Sequence, residues 1–237
     1  RLKRYLRDYF EDHLSLPVFI TEKAENAKKR GEQLKAEKKT HKDLIDCRMF
    51  GAVFAETGAN SHLTGPVQFN WGYSLNKVQL CDSNTITSSF SSGEGVGKDY
   101  KVKYSLIAFS GSINAVTAKG TDLSDEDIKI FDKAMLVSIL AARTRSKNNQ
   151  TPRVYVRVQM NDAAVFLKDL REYVKFDPKV DEYKIDSVDQ YKLDISEIVK
   201  YLKGFESKID KVFCWKDEKI EVTGLENLPK KELLKQY

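Results

Sequence analysis

An α+β fold is what this sequence predicts, and three observations carry the prediction. An alternating aromatic and polar strand runs over residues 67–74, a capped amphipathic helix begins at Ser124, and strands and helices succeed one another through the C-terminal third. With 237 residues and 41% hydrophobic content, the chain can bury one sizeable core, as one domain with insertions or as two small ones.

Arg1 to Leu14 reads as an amphipathic helix. Leu2, Leu6, Tyr9, Phe10 and Leu14 recur at helical spacing, while Lys3, Arg4, Arg7 and Asp8 fall largely elsewhere. Pro17 interrupts it, and Val18-Phe19-Ile20 reads as a short strand. Thr21 can cap a second helix from Glu22 to Lys38, a mostly solvated element of an insertion over residues 21–44. From Asp46 to Ala55 the chain is apolar, but its period does not separate helix from strand. Gly65-Pro66 opens a clear strand: Val67, Phe69, Trp71 and Tyr73 alternate with Gln68, Asn70, Gly72 and Ser74. That pattern predicts a sheet buried on its aromatic face and exposed on its polar face.

Asp82 to Lys101 is rich in Ser and Thr, with Gly93, Gly95 and Gly97 near its middle and strand-like residues on either side. A protruding hairpin with a glycine tip is the economical reading. Tyr104 to Ile113 continues as a strand. Ser124, with Asp127 three places on, then caps a helix carrying Ile128, Phe131, Met135 and Ile139 on one face. After the polar and basic tract from Arg143 to Gln150, Val154 to Met160 reads as a strand. Ala163 to Val174 and Ile195 to Phe205 read as helices, and Ile209 to Trp215 and Lys219 to Val222 as strands.

Most catalytic readings fail on spacing. Gly93-Glu94-Gly95-Val96-Gly97-Lys98-Asp99 has Ser92 where a Walker loop needs its first glycine, and Asp99 where it needs Ser or Thr. Lys98 occupies the third glycine of the dinucleotide fingerprint. His13, His41 and His62 form no local metal pair, and Cys47, Cys81 and Cys214 form no CxxC. Asp122, Asp125, Glu126 and Asp127 suit the first turn of a helix, where they complement its dipole. The residues therefore imply neither cofactor nor metal. With no run of 18 apolar residues to span a membrane, and with odd, scattered cysteines, a reducing cytoplasm is the expected compartment.

Two basic groups remain against a modest net charge of +5. Lys3, Arg4 and Arg7 lie on the non-core side of the first helix. Arg143, Arg145 and Lys147 are interleaved with Thr144, Ser146 and amides between a helix and a strand. Guanidinium forks with short hydroxyls suit phosphate and sugar oxygens, and with an exposed polar strand face they point to backbone binding. The paired aromatics of an ordinary RNA-recognition sheet are not visible.

Several strings occur together in an order that identifies a family. They are Arg1-Leu2-Lys3-Arg4-Tyr5-Leu6-Arg7-Asp8-Tyr9, Arg48-Met49-Phe50-Gly51-Ala52-Val53-Phe54 and Leu63-Thr64-Gly65-Pro66-Val67-Gln68-Phe69. Ser110-Gly111-Ser112-Ile113-Asn114-Ala115 and Arg143-Thr144-Arg145-Ser146-Lys147, with Pro152-Arg153, follow. Over roughly Arg1 to Met160 the chain resembles the backbone subunit of CRISPR Cascade complexes, the Cas-seven family, and most its subtype I-B branch.

The resemblance implies a ferredoxin-like (RRM-type) palm with finger insertions and a thumb hairpin at residues 83–103. Residues 161–237 would complete the palm and fingers. It also implies a first palm strand, expected from residues preceding Arg1. Copies would stack head to tail along a CRISPR guide RNA beside other Cascade subunits, presenting the guide for pairing with target DNA. Lys3, Arg4 and Arg7 would touch guide phosphates, Arg48, Gln68 and Asn70 would line the groove, and Arg143, Arg145, Ser146 and Lys147 would clamp backbone. Thr85, Phe90, Lys98 and Lys101 would belong to the thumb, Phe90 as an apolar wedge. The role implied is non-catalytic. Its rivals are a type III-like subunit that cuts target RNA with a metal, and a stand-alone RNA-binding module.

Overall fold

The computed structural model describes residues 1–56, 59–87, 96–142, 144, 148 and 150–237. Helix α1 (Leu2–Asp12) buries Leu2, Tyr5, Leu6, Tyr9 and Phe10 on one side, as its apolar spacing predicts. The segment after Pro17 forms no strand. Asp46 satisfies its backbone instead: the carboxylate accepts the Phe19 N–H at 2.7 Å and the Ile20 N–H at 3.1 Å. Helix α2 (Ala27–Ala36) is shorter than expected and is capped by Asn26 rather than Thr21.

The ambiguous apolar segment contains both kinds of structure, α3 (Ile45–Phe50) followed by β1 (Gly51–Glu56). Gly51 makes the break at φ 74°, where an added Cβ would lie 2.0 Å from the Leu63 carbonyl oxygen. That carbonyl belongs to β2 (Ala59–Thr64), which pairs antiparallel with β1. The predicted strands at 67–74 and 104–113 each divide in two. β3 (Val67–Phe69) pairs with β8 (Gly111–Ile113), and β4 (Tyr73–Ser74) with β7 (Ile107–Ala108). Between the pairs, the Asn70 N–H still donates to the Ser110 carbonyl at 2.8 Å and the Asn70 side chain adds a bond to Ser110 Oγ, while Gly72 lies against the Phe109 ring, where a Cβ would stand 2.5 Å from it. β5 (Leu80–Thr87) and β6 (Val96–Val102) form an antiparallel pair.

Asn114 caps α4 (Ala115–Thr121), a short helix absent from the sequence prediction. α5 (Asp125–Ala141) opens on the predicted capping box, Ser124 with Asp127. β9 (Val154–Met160) and β12 (Ile209–Lys216) pair antiparallel, and β14 (Lys231–Leu233) extends the sheet in the order β14-β12-β9. One face of it, with Val156, Val158, Ile209, Val212 and Cys214, packs under α6 (Ser196–Lys203). On the opposite face Tyr155 and Trp215 join α1 and α5 in the largest core. There Asp132 of α5 accepts Arg157 at 2.6 and 2.7 Å and Tyr155 Oη at 2.7 Å, so the buried charges are paired and hydrogen-bonded.

The helix predicted from Ala163 to Val174 is replaced by loop and one 3₁₀ turn, Leu170–Tyr173. Asp162 and Asp169 turn back onto the N–H groups of Ala164 and Arg171, short-range bonds that compete with a helix. β10 (Lys175–Pro178), β11 (Tyr191–Asp194) and β13 (Glu221–Thr223) make a second three-stranded sheet, so β12 and β13 belong to different sheets.

Candidate nucleic-acid interface

The basic side of α1 meets the polar side of β3. Lys3 Nζ donates to Gln68 Oε1 at 3.1 Å and stands 5.4 Å from the centre of the Phe50 ring; Gln68 Nε2 donates to the Gly65 carbonyl at 2.8 Å. Gly65 is small by necessity, because a Cβ there would sit 2.1 Å from the Phe50 carbonyl carbon. Arg7 lies one turn along the same helix. Burial, and then the Arg7 charge, pull the Lys3 ammonium below the ordinary lysine range. Two cations at i and i+4 repel, and although Arg7 also feels the carboxylates of Asp46 and Asp8, an anion placed between the two cations relieves the repulsion.

The other predicted contacts divide. Arg4 turns away to Glu22 at 2.9 Å and Asp8 at 3.4 Å, where acidic partners offset its charge. Arg48 is held by a fork on Asp127, with Nε–Oδ2 at 2.8 Å and Nη2–Oδ1 at 2.6 Å, and its Nη1 donates to the Lys42 carbonyl. Burial opposes ionisation of Asp127, but Arg48 and the Ser124 cap hold its carboxyl below the usual range. Thr85 pairs with Lys98 and Cys81 with Lys101 across β5 and β6. Phe90, Arg143, Arg145, Ser146 and Lys147 lie outside the described residues.

Asn70 opens a chain of contacts that sequence reasoning missed. Its Nδ2 donates to Ser110 Oγ at 2.8 Å, and Ser110 Oγ donates to Asp169 Oδ2 at 3.1 Å. Asp169 takes Arg171 Nη2 at 2.6 Å and Nε at 3.0 Å, and this guanidinium brings its carboxyl down to about 2. Arg171 Nη1 donates to the Trp71 carbonyl at 2.6 Å, and its guanidinium stacks 4.5 Å from the Tyr73 ring centre. Trp71 itself is 93% exposed, so the aromatic face of the predicted strand is not buried past Phe69. The one available signal was Asp169 two residues before Arg171, an Asx-turn spacing inside a stretch read as helix.

Among the described residues, no three His, Cys, Asp or Glu side chains converge as a metal site. No described helix is long and apolar enough to cross a membrane.

A family model described as "CRISPR-associated protein Cas7" matches residues 1–196. The protein of that name from Haloferax volcanii is 30% identical over 166 residues, which is 67% of this chain and 48% of the relative. The chain therefore spans about half the length of that curated relative. In fold it is similar to a chain of a solved structure titled "CRISPR RNA-guided surveillance complex, pre-nicking". That likeness has a TM-score of 0.51 at 11% identity and covers 99% of this chain and 86% of the other.

Proposed function

The chain belongs to the CRISPR-associated Cas7 family, and from that premise we propose that it is a non-catalytic backbone subunit binding CRISPR guide RNA in a type I Cascade surveillance complex. One observation carries the proposal: the like-charged Lys3–Arg7 pair on α1, set against the Gln68 amide of β3. Such a site gains from a phosphate, and an RNA backbone supplies phosphates at regular spacing.

We assign Lys3, Arg7, Gln68 and Asn70 to the guide backbone, together with Arg143, Arg145, Ser146 and Lys147. Arg4 contributes at the margin of this surface. Arg48 acts behind it, since Asp127 and the Lys42 carbonyl already occupy its guanidinium. The sheet β14-β12-β9 with α1 and α5 is proposed as the RRM-type palm, the 21–44 segment as a finger, and residues 83–103 as the thumb reaching a neighbouring copy. Copies stack head to tail beside other Cascade subunits, the guide pairs with target DNA, and the subtype is I-B.

Lys3→Ala with Arg7→Ala, and separately Arg143→Ala with Arg145→Ala, should each weaken binding of single-stranded RNA. Each should also flatten the dependence of log K on log salt by roughly 0.7 per lost phosphate contact. Parental affinity and slope in the first pair would remove α1 from the interface. Metal-dependent cuts at a regular period in complementary RNA, made by the assembled complex, would favour the type III-like alternative.

A further inference from the structure

We infer that the exposed Trp71 indole is a stacking platform for an unpaired RNA base. This rests on the RNA-binding reading of the adjoining surface and adds a group that reads the base rather than the phosphate.

Trp71 directly follows Asn70 and, at 93%, is the most exposed large hydrophobic side chain among the described residues, and its ring is the aromatic type best suited to stacking. Its backbone is held firmly. The Asn70 N–H donates to the Ser110 carbonyl at 2.8 Å, Arg171 Nη1 holds the Trp71 carbonyl at 2.6 Å, and Gly72 is wedged against the Phe109 ring. Only the indole projects freely, so it offers a flat π-face whose carrier is already ordered before any ligand arrives.

The surroundings favour a base over a phosphate. Arg171, the nearest described cation bonded to this segment, is forked onto Asp169 and stacked on Tyr73, so its charge is offset. Phosphates are thus served by Lys3 and Arg7 of α1, Lys3 lying against Gln68 of β3, and a base by Trp71 two residues beyond that strand. Aromatic stacking tolerates any base, which suits a guide whose sequence varies.

The test uses the full chain with a single-stranded RNA oligonucleotide and an abasic oligonucleotide of equal length. The chain has two tryptophans, and Trp215 is packed against the core, so quenching of exposed indole emission reports on Trp71. RNA should quench that emission and the abasic strand should not. Trp71→Ala should lower RNA affinity by roughly 5- to 150-fold while leaving the salt slope and abasic binding unchanged, and Trp71→Phe should restore most of the loss.

Unchanged RNA affinity in Trp71→Ala, with Lys3→Ala and Arg7→Ala still weakening binding, would overturn this inference alone. If the parent chain bound neither oligonucleotide, the RNA-binding reading would fall with it. A Trp71→Ala chain that bound RNA normally but no longer associated with other copies would assign the indole to a protein contact and overturn the stacking role.

Discussion

Asp169 sits at the centre of the polar chain linking Asn70 to the Tyr73–Arg171 stack. Its carboxyl falls to about 2 from an ordinary 3.8 because the Arg171 guanidinium favours the anion. A depressed folded-state value means that this contribution is complete above pH 4 and is lost as pH falls toward 2. Because the Asp169 side chain is partly exposed, solvent screening reduces the stabilisation to about 1 to 2 kcal/mol. Asp169→Asn should therefore lower stability by about that amount at pH 7 in urea unfolding. The gap between variant and parent should narrow between pH 4 and pH 2. An equal gap at every pH would assign the loss to packing and not to charge.

At the scale of elements, the N-terminus of α5 joins two contributions through one carboxylate. Asp127 Oδ2 accepts the Ser124 N–H at 3.1 Å and the Arg48 Nε at 2.8 Å. Ser124→Ala removes one cap and should cost about 1 kcal/mol. Arg48→Ala leaves a buried carboxylate without its partner and should cost about 3 to 5 kcal/mol. Thermal or urea unfolding separates the two, and at temperatures where both variants are folded, RNA affinity should match the parent. A lost salt-slope unit in Arg48→Ala would instead return Arg48 to the groove. The glycines of the family-like strings act at this scale as well. Gly51 and Gly65 let the start of β1 and the segment after β2 approach each other closely, and Gly111 lets β8 approach the Gln68 carbonyl, where a Cβ would stand 2.4 Å away.

For the whole molecule, the candidate interface joins elements far apart in sequence. α1 contributes Lys3 and Arg7, β3 contributes Gln68, and the turn at 169–171 anchors the strand that follows. A ligand binding across them stabilises the folded state by mass action, by about 2.7 kcal/mol at one hundred times its Kd. RNA should therefore raise the unfolding midpoint at low salt, and the gain should shrink as salt weakens phosphate binding. A gain independent of salt would contradict backbone recognition.

Local signals were enough for α1, the capped helix α5, the strands β9 and β12 and helix α6, because hydrophobic period and capping chemistry act within a few residues. The ordered strings were likewise enough for the family. Residues 163–174 and 18–20 defeated the same reasoning, because side-chain carboxylates of Asp162, Asp169 and Asp46 captured backbone groups that a helix or strand would have used. The surface around Lys3 was legible as basic, but whether each cation was free depended on partners distant in sequence. Arg48 met Asp127 79 residues away, whereas Lys3 met the neutral amide of Gln68. Charge and period are properties of a chain segment; the pairing that leaves one cation available and neutralises another exists only once the segments have been packed together.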